Sequence, residues 1–345
     1  MDFLLKFLFS FMVVTGICNM AYAGYKMQPT VEDKKWLILD LPPFPEGNQP
    51  TPERVELGKM LYFDPRLSGD GITSCATCHN PGLGWTDGRA KGVGFKGKEL
   101  DRASPTLINA AYSSLQMWDG RIKNLEDQVT APMISPDEMH TDMQVMEKWL
   151  NTSSEYKILF SKAYPGEAID RATVAKAIAS FERTILSTNS AFDRWLKGNA
   201  KAMTEQQIRG FRLFEDPTKG NCAICHSAPN FADDGFHNIG LKSFDAPNAD
   251  PGRFAIKAVP SLKGAFKTPT LRDVAMTAPY FHDGSATTLK EVIEHYNRGG
   301  DSKKNLSPNI KSLNLSDKEI MDIVAFMAAL TAPQLQVTLP ILPVL

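Results

Sequence analysis

Apolar side chains recur at helical spacing over residues 173–187 and 317–330, the pattern that gives a helix one buried face. Several helix starts can be read from their caps. Thr141 with Gln144, Thr204 with Gln207, Thr288 with Glu291 and Ser316 with Glu319 have capping-box spacing. Thr51-Pro52 opens another helix, because proline at the first helical position gives up an N–H that has no intrahelical partner. Strand-like alternation is scarce, and 24 glycines and 23 prolines punctuate the chain. The pattern predicts a mainly α protein with long loops between helices. Residues 25–50, with Pro42-Pro43 and Pro45, predict an extended lead-in arm.

The chain also repeats itself. Gly58 to Phe63-Asp64-Pro65 resembles Gly210 to Phe214-Glu215-Asp216-Pro217, and Ser104-Pro105-Thr106-Leu107 resembles Thr268-Pro269-Thr270-Leu271. Pro105 and Pro269 are 164 residues apart, and so are Asp119 and Asp283. A constant offset means two copies of one unit, so the expected organisation is an N-terminal arm at 24–50, a first domain at 51–195 and a second at 196–345.

Residues 1–23 read as a secretory signal: Lys6, an apolar run from Phe7 to Val14, then Ala21-Tyr22-Ala23 before Gly24. The expected location is the periplasm, with an uncleaved N-terminal anchor as the alternative. With 38 basic and 39 acidic side chains, the net charge of −1 gives no reason to expect nucleic acid as a partner.

Each unit carries one chemical signature, Cys75-Ala-Thr-Cys78-His79 in the first and Cys222-Ala-Ile-Cys225-His226 in the second. In C-x-x-C-H the two thiols add to porphyrin vinyl groups and the histidine reaches the iron, which is how c-type haem is attached. The pairs could instead hold zinc or close disulfides. A histidine directly after both pairs, in a chain with an export signal, favours two covalent haems, with His79 and His226 as proximal ligands. Met276, in the loop after Pro269-Thr270-Leu271, is a candidate sixth ligand of the second iron, and the offset places Tyr112 at its counterpart. A thioether there favours a six-coordinate, relatively high-potential centre. Alternatively, Met276 is one of 14 methionines and simply fills core.

These motifs, with Glu56-Leu57-Gly58-Lys59-Met60-Leu61, Trp118-Asp119-Gly120-Arg121, Phe181-Glu182-Arg183-Thr184 and Ala278-Pro279-Tyr280-Phe281-His282-Asp283-Gly284, make the chain resemble the bacterial dihaem cytochrome c peroxidase and MauG family. The resemblance covers nearly all the mature sequence and implies two cytochrome c-like domains, each with one covalent haem. It implies that the first haem meets peroxide, the second receives electrons, and Trp118 bridges them. Gln128, Pro132 and Glu138 match the distal pocket, where a glutamate shuttles the protons of bound peroxide. Met276 matches the peroxidase branch, whereas the MauG branch is expected to carry tyrosine.

Two departures matter. A Gly-His-Gly type loop blocks the first iron in typical peroxidases, and here Lys91-Gly92-Val93-Gly94-Phe95-Lys96-Gly97 places Phe95 at that position. Phenylalanine cannot ligate iron, so the expectation is a first haem with His79 as its sole protein ligand. The family's interdomain calcium uses an asparagine where this chain has Ala103, which leaves calcium an open question.

His140 reads as a surface residue or a substitute ligand, His237 and His295 as structural residues without metal partners, and His282 as support for a propionate or loop. The leading expectation is a periplasmic peroxidase fed by a small cytochrome c or cupredoxin. The alternatives are a MauG-like enzyme oxidising Trp or Tyr of a partner protein, or a dihaem electron carrier without peroxidase activity. A homodimer is compatible with the sequence but not specified by it.

Overall fold

Each half is built on one close helix crossing, made possible by a glycine. In the computed structural model, which describes residues 25–38 and 41–344, the first half contains α1 (Pro52–Phe63), α2 (Cys75–Cys78), α3 (Leu125–Ile134), α4 (Met143–Leu150), α5 (Ser154–Ala163) and α6 (Arg171–Glu182). The second contains α7 (Ala191–Leu196), α8 (Glu205–Glu215), α9 (Leu289–Asn297) and α10 (Asp317–Ala329), with a two-stranded ribbon of β1 (Phe236–His237) and β2 (Phe266–Lys267). A Cβ on Gly58 of α1 would lie 1.9 Å from the Ala177 carbonyl oxygen of α6. One on Gly210 of α8 would lie 1.8 Å from that of Asp322 in α10. The backbones touch where only hydrogen fits, which brings both helix pairs together in the same way. Two domains, mainly α and related by duplication, are what the repeat predicts.

The duplication reaches individual bonds. Asn109 and Asp273 both adopt left-handed backbone ahead of short 3₁₀ turns, Ala110–Tyr112 and Val274–Met276. The Asn109 N–H donates to Ile185 O and the Asp273 N–H to Leu330 O. Their side chains accept from Ser187 N and Ala332 N. The counterpart turns therefore end on Tyr112 and Met276, as the offset predicts.

Three helix starts fall on the predicted caps, with Thr204, Thr288 and Ser316 each closing a capping box. The fourth is shifted by one residue: Asp142 caps α4 by accepting from Gln144 N and Val145 N. The Thr141 hydroxyl instead donates to Leu67 O at 2.7 Å. The 173–187 helix starts at Arg171, because Asp170 caps it, and ends at Glu182. Beyond it, Ile185 O is taken by Asn109 N.

The lead-in arm is not simply extended. Glu32–Trp36 forms a 3₁₀ turn, and Trp36, 1% exposed, enters the second core with Phe231 stacked at 4.4 Å. Arg212 of α8 grips the turn through Asp33. The first core runs from Leu57 to Ile185, and Phe192 and Trp195 of α7 belong to the second. The seam between cores thus passes just before α7, whereas the boundary expected at 195 lies inside that helix. The C-terminal strap returns to the first domain, with Val344 N donating to Glu155 and Arg66 to Pro343 O. The proposed signal, 1–23, lies outside the described residues.

Candidate functional site

The two C-x-x-C-H segments hold their histidines alike. His79 Nδ1 lies 3.2 Å from Trp85 O, and His226 Nδ1 lies 2.9 Å from Phe231 O. A carbonyl partner fixes Nδ1 as the N–H and leaves Nε2 with its lone pair for a metal. Burial lowers both imidazole pKa values, keeping the rings neutral. Tyr62, itself fully buried, donates to His79 O at 2.5 Å and anchors the first segment from α1.

The four motif cysteines are unbridged. Burial pushes the Cys78 and Cys225 thiols up to about 11. Among the described residues, no further donors assemble around Cys75 and Cys78 into a metal-binding set. The second motif differs. Cys225, Asp233 and His237 bring their donor atoms within 4.8 Å of one another, so His237, expected to lack partners at metal-ligand spacing, does have them. Its Nε2 is 3.0 Å from Asp233 and its Nδ1 3.2 Å from Ser307 Oγ. If Cys225 is given over to a haem thioether, a histidine–aspartate pair remains. His295 is buried between Asp301 and Ile239 O, as a structural residue should be.

Around the first motif the fold gathers residues from three segments. The Cys78 thiol lies 3.5 Å from Val93 O, and the charge of Glu138 helps raise its pKa. Gly94 packs so closely on the 137–138 backbone that an added Cβ would lie 2.1 Å from Asp137 O. The Phe95 N–H donates to that same oxygen at 3.0 Å. The Phe95 ring stacks on His140 at 4.6 Å, so this exposed histidine lies against the loop. Gln128 and Pro132 lie on α3, which leads into the Glu138 turn through a hydrogen bond from Met139 N to Pro132 O. Gln128 Oε1 is buried with no hydrogen-bond partner. A buried amide oxygen is costly to leave unpaired, and it suits a pocket that takes a polar ligand. Paired thiols followed by a neutral histidine held through Nδ1 fit a haem at each motif, where Cys75, Cys78 and His79 would hold one and Cys222, Cys225 and His226 the other.

Trp118 belongs to the first domain and has partners in both. Its indole N–H donates to Ala103 O at 2.9 Å, its carbonyl accepts from Lys267 N, and its ring is 6.5 Å from His282. His282 stacks on Phe266 at 3.6 Å, and burial pulls its imidazole down to about 4. Next to Trp118, Arg102 donates to Asp119 and to Asp250 of the second domain, while Arg253 donates to Asp119 O and Gly120 O. Sequence reasoning missed Asp250 and Arg253. The clue lay in the longer path of the second unit from His226 to Thr268 compared with His79 to Ser104. The two carboxylates here are committed to Arg102, and Ala103 contributes no side-chain oxygen, so these residues do not form an oxygen cage for a hard cation.

Met276 ends its 3₁₀ turn 40% exposed, at the boundary with the first domain. A Cβ on Gly84 would lie 2.7 Å from its carbonyl oxygen. Tyr112 ends the counterpart turn.

Comparison with known proteins places these features in context. Residues 52–201 match the family model described as di-haem cytochrome c peroxidase, and residues 207–331 that of cytochrome c. The methylamine utilization protein MauG of Methylorubrum extorquens is 44% identical over 302 residues, covering 87% of this chain and 84% of that protein. The cytochrome c551 peroxidase of Pseudomonas aeruginosa is 37% identical over 303 residues, covering 86% and 84%. The crystal structure of a MauG-like protein associated with microbial copper homeostasis superposes with a TM-score of 0.80 at 31% identity, over 86% of this chain and 94% of that one.

Proposed function

The chain belongs to the di-haem cytochrome c peroxidase and MauG family of oxidoreductases, and from that premise we propose that it reduces hydrogen peroxide at its first domain with electrons received through its second. The observation carrying this reading is the pair of counterpart turns that end on Tyr112 and Met276. One unit has a thioether to cap an iron and its twin does not. Covalent haem at each motif would supply the iron and the electron-transfer chemistry. The chain supplies the rest. His79 and His226 present Nε2, and Met276 is assigned as the second ligand in its own domain. Glu138 takes and returns the peroxide proton, Gln128 directs its unpartnered oxygen to the bound molecule, and Trp118 occupies the junction.

The electron donor in this reading is a small cytochrome c or cupredoxin, and the location is the periplasm, tested by the mass of the mature N-terminus. Any calcium between the domains would rely on backbone carbonyls and water. Peroxide-driven oxidation of a reduced cytochrome c, measured with and without pre-reduction of the enzyme, tests the function. The expected outcome is turnover without pre-reduction, and no turnover with any donor overturns it. A second reading, oxidation of Trp or Tyr side chains on a partner protein, is favoured by Phe95 at the place of a blocking histidine and by the likeness to MauG proteins. A mass change in a co-expressed partner would select it.

A further inference from the structure

Glu182, the last residue of α6, is 5% exposed, and its Oε2 has no hydrogen-bond partner. The neighbouring cation does not neutralise it. Arg183 is engaged with Glu126 of α3 through two bonds of 2.8 and 3.0 Å. Its chain neighbour Phe181 packs edge-on against Tyr62 of α1 at 5.1 Å, and Tyr62 in turn donates to His79 O, which sets Glu182 beside the first motif, where its charge bears on Tyr62 and Cys75. The second domain has no such group at the counterpart position. The spacing that carries Ala177 to Asp322 and Phe181 to Phe326 in the two glycine crossings carries Glu182 to Met327, a buried thioether in the second core. One copy of the unit thus keeps an ionisable group where its twin keeps an apolar one.

A buried carboxylate without a counter-charge is expensive, and the cheaper state is the neutral acid. Burial pushes this carboxyl up to about 8, with Glu126 raising it further and Arg183 opposing. A group poised near neutrality beside a redox centre responds to the charge of that centre.

Building on the haem reading above, we propose that Glu182 is a positioning residue that fixes the site of charge compensation at the first haem. As one electron enters that centre, the Glu182 carboxylate takes one proton from solvent to become the carboxylic acid, and oxidation of the centre releases it. The groups facing Glu182 are Tyr62, Cys75, Arg183 and Glu126. Cys75 loses its titrating proton on haem attachment, Tyr62 is raised well above its ordinary range, and Arg183 and Glu126 are committed to each other, leaving Glu182 as the responsive member.

The test is a spectroelectrochemical titration of both haems in the full-length holoprotein between about pH 6 and 10. In the wild type, the first potential is expected to fall with rising pH by up to about 59 mV per unit, the one-electron value for a tenfold change in proton activity. The second is expected to be flatter. Glu182→Gln should remove the slope of the first haem only, and Glu182→Asp should retain it with a displaced midpoint. A flat first potential in the wild type, or an undiminished slope in Glu182→Gln, overturns the proposal. Should Glu182→Gln fail to fold, the oxidised-minus-reduced infrared spectrum of the wild type decides, since a protonated-carboxyl band must grow on reduction. The Soret band of each sample shows two haems before titration, so failure of the haem reading is distinguished from failure of this inference.

Discussion

The two domains of this chain share their helix crossing, the C-x-x-C-H segment with the carbonyl that orients its histidine, and the turn after each Pro-Thr segment, yet they differ at three places around that frame. Tyr112 stands opposite Met276, Glu182 opposite Met327, and the first domain adds a Phe95 loop packed on the segment that carries Glu138. The shared features are backbone contacts and core, and the differing ones are side chains around the motifs. In the function proposed above, duplication supplies the scaffold, and divergence of a handful of side chains gives the two copies different work.

The sharpest way to break this contrast is Glu138→Gln. If the first domain alone handles peroxide, the rate of peroxide reduction should fall by about 10²–10⁴-fold, the usual worth of a positioned general acid–base. The optical and EPR features of the second haem should stay unchanged, and stopped-flow kinetics with peroxide checks both. A comparable loss from a substitution confined to the second motif, with Glu138→Gln silent, would reverse the assignment.

A second substitution asks whether the domains are also distinct in stability. Trp36→Ala removes an indole from the second core only. It should cost about 3–5 kcal/mol there, splitting the thermal unfolding of the holoprotein into two transitions seen by calorimetry.

The junction between the domains should respond to acid. His282 is held neutral by burial, with its pKa down to about 4 against an ordinary value of 6.5. Between those values the unfolded chain binds the proton and the folded one does not, so stability falls as pH drops through this window, by at most about 3 kcal/mol. Denaturant melts at pH 4 to 7 check it, and His282→Gln should flatten the profile over that range.

The smallest effect tests what the copies share. Gly58→Ala and Gly210→Ala should each destabilise by about 1–3 kcal/mol, and by similar amounts, because each added methyl meets a backbone oxygen. A large cost at one and none at the other would mean that the crossings are not equivalent.

Much of the architecture is legible in the sequence because it is local or repeated. The caps at Thr51, Thr204, Thr288 and Ser316 are local hydrogen-bond patterns, and the constant offset pairs Tyr112 with Met276 by position alone. What escapes such a reading depends on contacts across the chain. Trp36 leaves the arm for the second core because an indole gains more from burial among Phe211, Phe214 and Phe231 than from exposure. Thr141 yields its cap to Asp142 because Leu67 O, distant in sequence, claims its hydroxyl. The grip of Arg102 on Asp250 spans the domain junction, and no periodicity reports it. The isolation of Glu182 likewise follows from a distant contact, the pairing of Arg183 with Glu126.

The central claim is that the two haem centres differ in coordination, and an EPR spectrum of the fully oxidised holoprotein, taken before and after one equivalent of peroxide, addresses it directly. The account predicts one high-spin and one low-spin ferric signal in equal amounts, with peroxide consuming the high-spin signal first. Two low-spin signals in the resting protein, indifferent to peroxide, would contradict it.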